Sequence, residues 1–329
     1  MTTIKDIARL ANVSRTTVSR YINNNGYVSE EARKRIIKAI KETGYIPSAQ
    51  AKSLRTKRSS VIGVILPKIS TETASRVVNG INGELSKFGF QTLLANTQLN
   101  EEKEIEYIKL LQGQQVDGII LLATNINDRL LEAIRGIKIP FISLGQDLPG
   151  VTSLVYDDYN ASIELTEHLI ERGHRKIAFI GVDEKDHAVG YLRKMAFLDT
   201  CGKYDCELDE KWLQTGDFSY ESGYEAMKKI LTQSKAHPTA IFAVTDRMAV
   251  GAIEYLKERN ISIPEDMAIV GIGASDLSKY ITPPLTTVDY FNEEAGKKAA
   301  KYMLEKLENK HIGYKSFTLN YRLIMRNSV

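Results

Sequence analysis

Apolar positions change their period along the 329-residue chain. In residues 3–44 they recur at helical spacing in three short bursts. Ile4, Ile7, Ala8 and Leu10 share one side of a segment over 3–11 that Thr3 is placed to cap. Val18 and Ile22 turn inward on a second segment, capped by Ser14 and running to about Asn23. Ile36, Ile37 and Ile40, with Ala32 and Ala39, stripe a third, which Ser29 caps and Gly44 stops. Glu30 and Glu31 sit in its positive first turn. Asn12-Val13 and Asn24-Asn25-Gly26 are the breaks. Three helices in under 45 residues match the size of a helix-turn-helix module.

From residue 61 the pattern is different. VIGVILP (61–67) is an almost continuous apolar run, as expected of a parallel strand buried on both faces. Further strands are expected at 91–95, 118–122, 141–144, 153–155, 176–181, 240–243 and 267–271. Amphipathic helices are expected between them at 73–88, 101–113, 127–135, 159–172, 188–202, 219–233 and 246–259. Repeated strand–helix units imply doubly wound parallel sheets, and these are too many for one sheet. The body therefore reads as two similar lobes.

Between the two patterns lies IPSAQAKSLRTKRSS (46–60), a basic linker that begins at Pro47 and holds a helix-compatible piece over 49–54. Charge sharpens the division. The net charge is only +3, yet residues 1–60 contain 13 Lys/Arg against 4 Asp/Glu, and the remainder 31 against 37. A small basic module on a mildly acidic body points to polyanion binding at one end. No run of about 18 apolar residues suggests a membrane span, and MTTIKDIARL carries charges where an export signal would be apolar. Cys201 and Cys206 form no disulfide framework, which suits a reducing cytoplasm.

The outward positions of the second helix are Arg15, Thr16, Ser19, Arg20 and Asn23. Such a face fits the major groove, where arginine grips guanine with two parallel hydrogen bonds and Thr or Asn reads other edges. These residues also carry a resemblance. IKDIARLANVSRTTVSRYINN, GYVSEEARKRI, GYIP and AKSL resemble the N-terminal module of the LacI/GalR family of bacterial repressors. VDGIIL (116–121), ERGHRKIAFIG (171–181), AVTDRMAVGAI (243–253), IPEDMAIVGI (263–272) and TPPLTTVDY (282–290) continue it in order through the chain.

The resemblance implies an all-α helix-turn-helix head (1–46), a hinge helix or linker (47–60) and an α/β periplasmic-binding-protein-like core (61–329) of two doubly wound parallel-sheet lobes. The first lobe would comprise about 61–158 and 289–317, the second about 159–288 and 318–329, with crossings near 159, 288 and 318. It implies a cytoplasmic homodimer reading a near-palindromic operator, with Ser14, Arg15, Thr16, Thr17, Ser19, Arg20, Asn23, Tyr27 and Ser48 at the DNA and Leu54 wedged into the minor groove. The absence of a heptad tail favours a dimer over a tetramer.

In the core it places a small effector between the lobes. Arg193 matches the family's effector-binding arginine, able to hold adjacent hydroxyls or a phosphate with two parallel donors. Phe218 matches the aromatic that stacks on the effector ring. Thr245, Asp246, Asp157 and Thr73 complete the expected site. Two stretches depart from the family pattern: Thr71-Glu72-Thr73-Ala74 stands where many members carry Asn-Pro-Phe-Phe, and Gly273-Ala274-Ser275 where an aspartate pair is common. Gly145-Gln146 replaces a frequent aspartate. Less acid and less aromatic bulk favour a larger ligand than a monosaccharide, such as a disaccharide or sugar phosphate. The implied function is a ligand-responsive repressor of a carbohydrate operon, with no cofactor and no metal. Two other readings compete. GIGASD (271–276) resembles the start of a dinucleotide fingerprint but lacks its third glycine, and no catalytic motif accompanies it. A sugar-binding protein without DNA function would leave the basic head unexplained.

Overall fold

The computed structural model describes residues 2–23, 25–45, 58–234, 236–309 and 313–329. They form two compact units, Met1–Ser59 and Ser60–Val329.

The first unit holds α1 (Ile4–Leu10), α2 (Arg15–Ile22) and α3 (Glu30–Thr43). Each begins on a side chain that satisfies a free backbone N–H. Thr3 takes that of Asp6, whose carboxylate returns the bond; Ser14 takes Thr17; Ser29 takes Ala32. Gly44 ends α3 in the left-handed region at φ 60°. Ile7, Ala8, Val18, Ile36 and Ala39 pack together with Tyr45 as the core. Leu10 and Ile37, expected on the core-facing stripes, are exposed instead, because so small a bundle buries only one narrow stripe per helix.

The second unit has two lobes. The first begins with β1 (Val61–Leu66), α4 (Glu72–Leu85), β2 (Gln91–Asn96), α5 (Glu101–Gly113), β3 (Gly118–Leu122), α6 (Asp128–Arg135), β4 (Phe141–Gly145) and β5 (Thr152–Tyr156). The chain then crosses into α7 (Asp158–Glu171), β6 (Ile177–Val182), α8 (Arg193–Lys203), β7 (Leu213–Gly216), α9 (Tyr220–Gln233), β8 (Ala240–Ala243), α10 (Asp246–Glu258), β9 (Ala268–Ile272), α11 (Asp276–Tyr280) and β10 (Thr286–Asp289). It returns for α12 (Asn292–Glu308) and β11 (Ser316–Leu319), and ends with β12 (Arg322–Ile324) in the second lobe. The sheet orders are β11-β5-β4-β3-β1-β2 and β12-β10-β9-β8-β6-β7. All pairings are parallel except β10 with β12.

The return crossings come a little later than expected, since Asp289 still pairs in the second sheet and Leu319 in the first. Strands β7, β10, β11 and β12 were not anticipated; at three or four residues they are too short to show a period. Helix α12 also lay outside the expected set. Its core stripe is mostly small, Ala295, Ala299 and Ala300 with Met303, so it carries little hydrophobic signal. Where one helix was expected over 188–202, a π-helical turn at 187–192 leads into α8.

Helices pack closest where glycine lets backbones approach. A Cβ on Gly80 of α4 would sit 2.0 Å from the Glu293 carbonyl oxygen, and one on Gly296 of α12 2.1 Å from that of Val77. The second lobe repeats the device: Gly223 of α9 and Gly251 of α10 meet the carbonyls of Met248 and Tyr220 at 2.1 and 2.0 Å. These contacts set helices α4, α9 and α10, whose first turns open on the space between the lobes.

Candidate functional sites

In the head, Val18 is fully buried and turns the opposite face of α2 outward. Ser14, Arg15, Thr16 and Arg20 on that face are exposed. Thr17 and Ser14 share a hydroxyl–hydroxyl bond of 2.8 Å, so Thr17 helps to close the cap. Ser19 and Asn23 are half-buried, and the Asn23 amide donates to the Ser19 carbonyl and hydroxyl oxygens. That amide secures the end of the helix before it can meet anything else. Tyr27, 86% exposed, follows Gly26, whose φ of 97° turns the chain beside the Arg20 side chain. Ser48 and Leu54 lie outside the described residues.

Between the lobes lies a cavity of about 540 Å³. Its walls come from the carboxyl ends of the strands, where ligands bind in open α/β sheets. The first lobe supplies the turn after β1, including Lys68, Glu72 and Thr73, and the ends of β3 and β4 with Gln146. The second supplies Asp186, Arg193, Phe218, Tyr220, Thr245, Asp246, Arg247 and Ser275. Tyr156, Asp158, Tyr290 and Asn292 form its floor at the crossings.

Arg193 is 6% exposed and largely committed within the protein. Its Nε and Nη2 both donate to Asp158 Oδ1, at 2.7 and 2.6 Å, and Nη1 donates to the Val244 carbonyl. Burial disfavours its charge, but the Asp158 carboxylate outweighs that and raises the pKa of the guanidinium. Tyr290 lies under the guanidinium, 5.5 Å from its ring centre, and its hydroxyl donates to Asp158 at 2.9 Å. Of the five N–H donors of an arginine, at most one on each terminal nitrogen is left for a ligand. The pair of parallel donors expected to grip a phosphate is turned to Asp158 instead.

Asp157, expected in the site, is absent from the cavity wall. It caps α7, accepting the Asn160 backbone and side-chain N–H groups. Its neighbour Asp158 faces the cavity, because adjacent positions at a helix start point in different directions. Thr245 caps α10 through Met248 while lining the cavity. Asp246 is buried, takes the Ser275 N–H at 2.7 Å and the Thr287 hydroxyl, and is pushed up in pKa by burial. A Cβ on Gly271 would lie 2.7 Å from Asp246 Oδ1. The first glycine of GIGASD thus makes room for a carboxylate of its own lobe. Phe218 lines the cavity at φ 70°, between β7 and α9.

Asp186 was missed by sequence reasoning. It heads the π-helical turn before α8, and its Oδ1 takes the Val189 N–H at 3.0 Å and the Gln146 side chain, across the cleft, at 3.2 Å. Among the described residues its Oδ2 has no hydrogen-bond partner. Burial, opposed by the Val189 N–H and the charge of Arg193, pushes this carboxyl up to about 6. The only signal in the sequence was DHAVGY preceding the expected arginine. Among the described residues no group of three or more His, Cys, Asp or Glu could hold a metal ion, and no helix is long and apolar enough to cross a membrane.

Residues 3–48 match bacterial regulatory proteins of the lacI family, and residues 166–329 a periplasmic binding protein-like domain. The HTH-type transcriptional repressor PurR of Aliivibrio salmonicida is 31% identical over 332 residues, covering 100% of this chain and 99% of the relative. A transcriptional regulator CelR–cellobiose complex is similar over 100% of both chains, with 28% identity and a TM-score of 0.75. The lac repressor dimer bound to operator and the anti-inducer ONPF shares the fold, with a TM-score of 0.87 at 23% identity over 99% of this chain and 98% of that one.

Proposed function

The chain belongs to the lacI family of bacterial regulatory proteins, and from that premise we propose that this DNA-binding repressor answers to a neutral, hydroxyl-rich ring compound of one or two sugar units. The observation that carries this reading is the Arg193–Asp158 pair. With its charge already met, Arg193 offers single N–H donors rather than a phosphate grip, while Asp186 Oδ2 offers an acceptor nearby. Hydroxyl groups, which donate and accept, suit both. Phe218 and Tyr220 supply faces for a sugar ring. A cavity of about 540 Å³ is of ligand-binding size. The similar CelR structure holds cellobiose. The sugar phosphate allowed by the sequence would have to draw on Lys68 and Arg247 of the wall, because the paired donors of Arg193 are spent on Asp158.

A second reading is a flat nitrogen heterocycle, favoured by the aromatic walls and by the similarity to PurR repressors. A thermal-shift screen of disaccharides, sugar phosphates and nucleobases, followed by calorimetry, separates the readings. Stabilisation by a neutral saccharide, lost in Phe218→Ala and Asp186→Asn, supports the first; stabilisation by sugar phosphates or nucleobases alone rejects it.

On DNA, Arg15, Thr16 and Arg20 are the base-reading set, with Ser14, Ser19, Asn23 and Tyr27 at the backbone or holding the helix. The exposed face of α2 and the basic balance of residues 1–60 support this. Two heads of a cytoplasmic homodimer would read the two halves of a near-palindromic operator. Leu54 is the proposed minor-groove wedge; Leu54→Ala should reduce DNA bending measured by fluorescence transfer and leave dimerisation intact. The effector acts through its different affinity for two lobe arrangements.

A further inference from the structure

The turn after β1 in the first lobe and the turn after β9 in the second meet beside the cavity. Glu72 accepts the backbone N–H of Asp276 with both carboxylate oxygens, at 2.9 and 3.0 Å. Arg76, one turn along α4, donates to the Ala274 carbonyl at 2.8 Å and to the Asp276 carboxylate at 3.2 Å. The same guanidinium is paired with Glu72. Two side chains of one helix turn thus grip Ala274 and Asp276 of the other lobe.

The gripped arm is itself anchored. Ala274 adopts φ 46°, and its N–H donates to Thr287 at 3.2 Å. The Ser275 N–H donates to Asp246. Force on the arm therefore reaches the second sheet, as force on Glu72 and Arg76 reaches α4. Glu72, Ser275 and Leu277 line the cavity, whereas Arg76 does not. Glu72 and Ala274 lie in the two stretches where the sequence departs from the family pattern, and Arg76 and Asp276 lie just beyond them.

We propose that Arg76 is a positioning residue of the effector site: together with Glu72 it clasps the second lobe and holds the cleft closed before any effector binds. Effector entry then requires the clasp to open, and the strength of the clasp sets the population of closed repressor. The clasp side chains remain 25% and 33% exposed, so added salt weakens their attraction.

The proposal rests on the cavity being the effector site, but its test uses no effector, so the two stand or fall separately. Full-length wild type, Arg76→Ala, Arg76→Lys and Glu72→Gln are compared by amide hydrogen exchange and by hydroxyl-radical oxidation of Phe218, Tyr220 and Tyr156 inside the cavity. In Arg76→Ala the Asp276 amide is expected to exchange roughly tenfold faster, and the three aromatics to oxidise faster as the lobes part. Arg76→Lys restores only part, because an ammonium lacks the planar fork. High salt moves the wild type in the same direction. Faster exchange at Asp276 with unchanged oxidation would reduce the clasp to a local turn contact and overturn the proposal. So would unchanged oxidation in Glu72→Gln and in wild type across the salt series, a result that needs no folded Arg76→Ala.

Discussion

Arg193 and Asp158 form a buried ion pair at the floor of the inter-lobe cavity, Nη2 lying 2.6 Å from Oδ1. The arginine opens α8 and the aspartate opens α7, so the pair joins two helix starts of the second lobe at the crossing from the first. Tyr290, next to the return crossing, donates its hydroxyl to the same carboxylate oxygen.

Removing one partner leaves the other charge buried and unmet. Asp158→Ala should lower stability by about 3–5 kcal/mol, measured by urea unfolding, while Asp158→Ala with Arg193→Met should recover much of the loss. A double variant less stable than the single one would show that Arg193 is not held chiefly by Asp158.

Asp186 makes stability depend on pH. Its carboxyl is pushed up to about 6 in the folded protein, against roughly 3.9 for an unfolded aspartate. Below both values it is protonated in either state and costs nothing. Between them the unfolded chain releases its proton first, so stability falls as pH rises, by about 2–3 kcal/mol in all, and levels off above the folded value. Asp186→Asn should flatten that part of the curve and be the more stable form at pH 7. Denaturant midpoints at pH 4.5 and pH 7 in both proteins are the measurement; parallel curves reject the assignment.

Arg20→Ala should cost about 1–3 kcal/mol of operator affinity and erase the preference at one base pair of each half-site. Binding to a site selected from random DNA, and to its single-base variants, reads this. Equal weakening on every sequence would make Arg20 a phosphate contact.

Two glycines of α4 should behave oppositely. Gly80→Ala pushes a methyl group onto the Glu293 carbonyl and should destabilise by about 1–3 kcal/mol. Gly83→Ala meets no atom within 4 Å and should stabilise by up to about 1 kcal/mol through helix propensity. Thermal unfolding of the two variants distinguishes a close helix contact from a general loss of glycine.

What the sequence determined by itself was whatever depends on near neighbours. The caps at Thr3, Ser14 and Ser29 and the stop at Gly44 act within three or four residues, so the helices of the head were legible. The continuous apolar run of 61–67 announced a buried parallel strand for the same reason, since both of its faces are written in six residues. The resemblance then brought Arg193, Phe218, Thr245 and Asp246 to one cavity wall. Tertiary structure decided what those residues are free to do. That Arg193 spends its paired donors on Asp158 rather than a ligand depends on two helix starts separated by 35 positions. Asp157 and Asp158 are chemically identical in the sequence, and only the direction of each side chain at the start of α7 made one a cap and the other a wall. The missing third glycine already set GIGASD apart from a dinucleotide fingerprint, but only the fold showed what Gly271 does, by setting Asp246 against it. The grip of Arg76 on Ala274 spans 198 residues, and no local pattern encodes it: a hydrogen bond is specified by where two groups lie, and chain folding alone brings these two together.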